Sequence, residues 1–298
     1  MHTRFVHRLS LLTVTAFVAC TTASSNSYVD HSGHDSASPS PSVQVPQNAS
    51  LPADAANARA RLAASPRHGE WVMIADGADS VRAWIVYPER KTKAPVVVVV
   101  HEIFGVSPWI RAVTDQLAAD GFIAIAPDLL TSKNLPNTTD SVPAELATAA
   151  IRTLNPADVQ RQISAVAKYA MALPSALPRY GVVGFCWGGG VSFDHAVSSP
   201  TLGASVVYYG VSPASDALKS VKAPVLGLYG GNDARVGATI PPADSAMRAL
   251  GKTYTHNSYE GAGHGFLRQQ SGQNGANLTA TQQAWPATIA WFRRYLDT

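Results

Sequence analysis

From Trp71 onward, short apolar runs alternate with longer stretches in which apolar residues recur every third or fourth position. Trp71-Val72-Met73-Ile74 and Val81 to Tyr87 flank the turn-forming segment Ala75-Asp76-Gly77-Ala78-Asp79-Ser80, which predicts a β-hairpin. Pro95 then opens five consecutive valines, Val96 to Val100. A run apolar on both faces fits a strand buried between two helical layers. Trp109 to Ala119 has helical periodicity and is entered through Pro108, a residue suited to a first helical turn. Phe122 to Ala126 is the next strand, closed by Pro127-Asp128. Helices are expected over 144–152 and 157–173, the second opened by Pro156-Ala157-Asp158. Tyr180 to Val183 reads as a strand and Val191 to Val197 as a helix. Strands follow at 205–209, 225–229 and 254–259. A closing amphipathic helix spans 282–296, with Ile289, Trp291, Phe292 and Tyr295 on its apolar side. Strands alternating with helices predict an α/β fold with a mainly parallel central sheet covered on both faces. Ordered structure is expected in one domain, 68–298, beginning near Glu70.

The residues before it read differently. Arg4 and Arg8 precede a short apolar run, Leu9 to Ala19, too brief to span a bilayer in the usual way. Residues 1–19 therefore read as a signal peptide. Its end, Phe17-Val18-Ala19-Cys20, resembles the lipobox of bacterial lipoproteins, with Phe17 where leucine is usual. On that pattern Cys20 becomes an acylated N-terminus, and the protein is exported to the periplasm on a lipid anchor. Cleavage after a small residue such as Ala23, giving a soluble exported product, is the alternative. Residues 20–67 are rich in Ser, Ala, Pro, Asn and Asp and hold few large apolar side chains. Such a stretch buries too little apolar area to offset its ordering entropy, and reads as a disordered tether. His31 and His34, with Asp30 and Asp35, lie within it without a further ligand cluster, so no metal site is expected there.

The formal charge of the 298-residue chain is only +3, with no Lys/Arg stripe, which excludes nucleic acid as an expected partner. Its two cysteines, Cys20 and Cys186, fall in segments with unrelated roles, and no disulfide is expected.

Cys186 carries the candidate chemistry. Gly184-Phe185-Cys186-Trp187-Gly188-Gly189 places a reactive side chain between glycines, after a strand and before a helix: the pattern of a nucleophile elbow. The glycines leave room for so tight a turn. The turn presents the sulfur beside the Trp187 N–H and a helix N-terminus, both of which favour negative charge. A thiol needs a base, and the base an orienting carboxylate. Two later strands end in such residues: 225–229 runs into Asp233, and 254–259 into His264. The order nucleophile, acid, histidine gives a Cys186–His264–Asp233 triad at successive strand ends. Asp128 and Asp194 are rival carboxylates, ranked structural because one precedes the nucleophile and the other lies on the elbow helix.

His101-Glu102-Ile103-Phe104-Gly105, Ala126-Pro127-Asp128, the elbow, Gly231-Asn232-Asp233 and Gly261-Ala262-Gly263-His264-Gly265-Phe266 together resemble the dienelactone hydrolase family of the α/β-hydrolase fold. The resemblance implies a cofactor-free hydrolase of esters and lactones that works through an acyl-enzyme. It implies that Glu102 contacts the resting nucleophile and helps create the thiolate, and that the N–H groups of Ile103 and Trp187 form the oxyanion hole. It implies, too, that Arg268 grips a substrate carboxylate. The family's second arginine, with a nearby tyrosine, would fall around Pro143 to Ala150, where this sequence has neither. That departure points away from dienelactone itself. Trp109, Trp187 and Tyr209 are expected to line the substrate pocket. A non-catalytic envelope-binding lipoprotein on the same fold, and a thioester or amide hydrolase, are the competing readings.

Overall fold

The computed structural model describes residues 48–135 and 142–297. The expected signal peptide, Cys20 and the His31/His34 segment lie outside the described residues. Among those described, eight strands form one sheet in the order β1-β2-β4-β3-β5-β6-β7-β8. The hairpin β1 (Gly69–Asp76) and β2 (Asp79–Val86) turns at Gly77, whose φ of 65° suits glycine, and joins β4 (Ile123–Asp128) antiparallel. From β4 outward through β3 (Ala94–Val100), β5 (Ala176–Phe185), β6 (Ala204–Tyr208), β7 (Val225–Gly230) and β8 (Tyr254–Tyr259) the pairing is parallel.

The valine run does what its pattern requires. Val96, Val98 and Val100 face one core, and Val97 and Val99 the other, as the two-residue repeat of a strand dictates. On the first face lie α4 (Pro156–Met171), α5 (Trp187–Ser198) and α7 (Ile240–Ala249), contributing Ile163, Val166, Phe193 and Met247. On the second lie α2 (Pro108–Ala119) and α8 (Ala276–Leu296), contributing Ile110, Leu117, Trp285 and Phe292. α8 starts six residues before the expected 282, and Pro286 lies inside it. A shorter helix, α3 (Ala144–Ile151), packs Ala147 and Ile151 against Leu130 beside the site. A single turn, α6 (Ala234–Gly237), follows β7.

In its described part the expectation of a disordered tether fails. Residues 48–67 are a packed strap, not a linker. Leu51, Ala53, Asp54 and Ala58 are buried, and α1 (Ala58–Ala63) lies against α2. The strap is held by backbone and polar contacts: Ala55 N–H donates to the Arg268 carbonyl at 2.9 Å, and Gln270 Nε2 to the Pro52 carbonyl at 2.9 Å. Arg67 closes it with a charge-assisted pair to the buried Asp115, 2.7 Å from Nη2 to Oδ2. A segment poor in large side chains is thus ordered through its main chain.

Candidate active site

The parallel order β5-β6-β7-β8 brings four successive strand ends to one edge of the sheet. Cys186 stands at the end of β5, at φ 57° and ψ −115°, a conformation that costs a non-glycine residue about 1–3 kcal/mol. The turn is possible only because its neighbours lack side chains. A Cβ on Gly184 would drive into the Gly188 carbonyl, and one on Gly188 into the carbonyls of Val100 and His101. The Cys186 N–H is anchored to the Tyr208 carbonyl at 3.1 Å, and the Cys186 carbonyl accepts from Gly189 N–H at 3.0 Å as α5 begins.

Beyond β6, at the ends of β7 and β8, Asp233 and His264 meet. Asp233 follows β7 and caps α6, its Oδ1 accepting from the Val236 N–H at 3.3 Å. Its Oδ2 accepts from His264 Nδ1 at 2.5 Å. That bond fixes the tautomer and leaves Nε2 as the free ring nitrogen. The His264 loop is pinned where Asn232 N–H donates to the Ala262 carbonyl and Gly263 N–H to Asn277 Oδ1, both at 2.9 Å. At the end of β6 stands Tyr209, fully buried at φ 39°, its ring edge-on to the His264 imidazole with centroids 5.2 Å apart.

Glu102 approaches from the end of β3 and is only 4% exposed. Burial pushes its carboxyl up to about 7, against the pull of Arg268. Arg268 Nε lies 3.2 Å from Glu102 Oε2, yet off the N–H axis, so the pair attract without forming a hydrogen bond. The Arg268 guanidinium also lies over the Phe104 ring, 4.8 Å from its centroid. Burial, the most effective cause, pushes the Cys186 thiol up, and the charges of Glu102 and Asp233 push it further. The Trp187 N–H and the charge of Arg235 pull the other way. The helix start that favours a thiolate is therefore outweighed in the resting site.

A cleft of about 330 Å³ opens over the sulfur, lined by Ile103, Cys186, Trp187, Val191, Asp194 and Arg235, among others. The expected pocket residues fare differently. Trp187 lines this cleft. Trp109 does not: it is 2% exposed, packs edge-on against Phe185, and donates from Nε1 to the Ala53 carbonyl at 3.1 Å. Its place one residue into α2 turns it towards the sheet. Tyr209 lies beneath the site, with its hydroxyl buried and unbonded. Arg268 faces Glu102. Of the rival carboxylates, Asp128 accepts from the Leu130 N–H at 3.2 Å, whereas Asp194 borders the cleft. Sequence reasoning passed over Arg235, an exposed cation on the rim two residues after Asp233. That spacing puts it in the first turn after the strand end, the one signal that could have marked it.

A family model described as "Dienelactone hydrolase family" matches residues 81–296. A protein of Salmonella typhimurium strain LT2 named "Putative carboxymethylenebutenolidase" is 31% identical over 229 residues, covering 73% of this chain and 84% of that one. A protein of the same name from Methylorubrum extorquens is 33% identical over 227 residues, covering 72% and 77%. Among solved structures, "Putative Dienelactone Hydrolase" from Klebsiella pneumoniae superposes with a TM-score of 0.68 at 28% identity, covering 77% of this chain and 99% of that one.

Proposed function

The chain belongs to the dienelactone hydrolase family, and from that premise we propose that it hydrolyses carboxylic esters or lactones through Cys186, His264 and Asp233, by way of an acyl-enzyme. The observation that carries this reading is the Asp233–His264 hydrogen bond, formed two strand ends from a strained cysteine that opens onto a cleft. In the proposed reaction His264 Nε2 takes the thiol proton as the sulfur adds to the substrate carbonyl carbon. The N–H groups of Trp187 and Ile103 hold the oxyanion. Collapse expels the alkoxide or ring oxygen, which recovers the proton from His264. A water, deprotonated by the same nitrogen, then cleaves the thioester and releases the acid and the thiol.

Glu102 sets when the sulfur ionises. Charged, it opposes a second negative charge beside it; protonated near neutral pH, it does not. Arg268 is committed to Glu102, so the rim cation Arg235 is the better placed to meet an anionic substituent on the substrate. The pattern of residues 1–20 adds a second proposal: export to the periplasm with a lipid on Cys20. Labelling with a radioactive fatty acid that persists in Cys20→Ser would refute it.

The test of the enzyme is a panel of esters and lactones, with and without a free carboxylate. Cys186→Ala is expected to abolish turnover while leaving the melting temperature within a few degrees of wild type. Full turnover in that variant would end the proposal. Arg235→Ala should raise KM for the carboxylate-bearing members alone. An equal rise for neutral esters would show that the cation serves the sulfur, not the substrate.

A further inference from the structure

His101 is absorbed by none of these roles, yet it touches both halves of the proposed oxyanion hole. It is fully buried at the end of β3. Its Nε2 accepts from the Leu129 N–H at 3.3 Å, which leaves the ring proton on Nδ1. Nδ1 then donates to the Glu102 carbonyl at 2.6 Å. Its ring stacks on the indole of Trp187, with centroids 5.7 Å apart and planes inclined by 28°. Its own carbonyl packs against Gly188 where the elbow turns.

The consequence lies in the peptide that joins Glu102 to Ile103. A trans peptide is planar, and its C=O and N–H point in opposite directions. Gripping the Glu102 carbonyl therefore aims the Ile103 N–H the other way. Among the described residues, no backbone carbonyl accepts from that N–H, and Ile103 lines the cleft with Cys186. The loop has no regular structure to hold this peptide: residues 101–107 are neither helix nor strand, and among the described residues the only backbone donor to the Glu102 carbonyl is Gly105 N–H at a long 3.4 Å.

We infer that His101 is a positioning residue for the oxyanion hole, holding the Glu102–Ile103 peptide in the orientation that presents the Ile103 N–H to the tetrahedral intermediate. The inference rests on the hydrolase reading above. A neutral ring is required, because Nε2 must keep its lone pair for Leu129. Burial drives the imidazole that way, lowering it from the usual histidine value against the opposing pull of the Glu102 carbonyl and the charge of Asp128.

The test compares two reactions of one sulfur. Ester hydrolysis passes through an oxyanion, whereas alkylation of Cys186 by iodoacetamide does not. In His101→Ala, kcat for an activated ester should fall at least tenfold with KM within twofold, while the alkylation rate changes less than twofold. His101→Asn restores a donor near the Nδ1 position and should recover most of the lost kcat. A trifluoromethyl ketone, which adds to the sulfur and leaves a charged oxygen in the hole, should bind His101→Ala more weakly by a factor similar to the loss in kcat. Equal losses in alkylation and hydrolysis would mean that the sulfur itself had moved, and would overturn the inference. So would unchanged hydrolysis in His101→Ala, or no recovery in a folded His101→Asn. A wild-type protein that hydrolyses no ester at all would fail the enzymatic reading instead, and would do so before any variant is compared.

Discussion

Helix α5 has a buried polar cluster at each end, and the two are built on opposite terms. In its last turn His195 is fully buried, with every polar atom in use: Nδ1 donates to Gln160 Oε1 at 2.7 Å, and Nε2 accepts from the Tyr180 hydroxyl at 3.0 Å. Ser199 adds a further bond to the Tyr180 oxygen at 2.8 Å. At the helix start, around Cys186, Glu102 Oε2, Arg268 Nε and the Tyr209 hydroxyl are all buried without a hydrogen bond. An unpaired buried polar atom typically costs 1–3 kcal/mol, so folding alone would select against such a cluster. The satisfied cluster holds a helix in place. On the proposed function, the unsatisfied one keeps its bonding capacity for the reaction.

The largest expected effect comes from relieving the unsatisfied cluster. Glu102→Gln removes the carboxylate proposed to oppose ionisation of Cys186, so iodoacetamide should alkylate the sulfur severalfold faster at pH 8 in the variant than in wild type. The same change should stabilise the fold. Below about 4.3 the carboxyl is protonated in folded and unfolded chains alike. As pH rises towards 7 only the unfolded chain ionises, so stability falls, by ~3 kcal/mol once the folded-state value of about 7 is passed. Chemical denaturation should therefore find the variant more stable than wild type at pH 8 and little changed at pH 4. Lower stability at pH 8 would mean that Glu102 is held by contacts beyond the Arg268 attraction.

His195 mirrors this. Burial holds its imidazole down to about 4. Above about 6.5 both states carry it neutral; as pH falls towards 4 only the unfolded chain takes the proton, and ~3 kcal/mol is lost across that window. His195→Gln should flatten this acid limb at a cost of ~1–2 kcal/mol near pH 8 for the bonds removed. Its kcat at pH 8 should match wild type. A tenfold loss there would break the division between a structural and a reactive end of α5.

Much of this was legible before any coordinates. The valine run and the glycine-flanked turn at Cys186 are local patterns, and local patterns fix strand burial and which residues stand at a strand end. What escaped was set by partners distant in sequence. The strap at 48–67 is ordered through main-chain bonds such as Ala55 to Arg268, which leave no trace in composition. Arg268 could be matched to a pattern by its spacing from His264, but only the approach of β3 shows that its charge is met by Glu102. The thiol's resting state could not be read either, because burial and two carboxylates act on it against the helix start.

Trp109 gives the smallest expected effect, and it tests the boundary between the site and the scaffold behind it. An indole near a strand end was expected in the pocket, yet it sits in the core and bonds the strap. Trp109→Phe keeps an aromatic ring against Phe185 but removes the bond to the Ala53 carbonyl and leaves a small cavity in the core. The loss should be ~1–2 kcal/mol for the hydrogen bond and the cavity together, seen as a small fall in melting temperature. KM should stay within twofold for every ester in the panel, since no cleft atom has changed. Limited proteolysis should cut the variant faster within residues 48–57, where the strap has lost a tie. A several-fold rise in KM at unchanged melting temperature would place the indole on the substrate's path after all, and the pocket would have to be redrawn to include the face of α2.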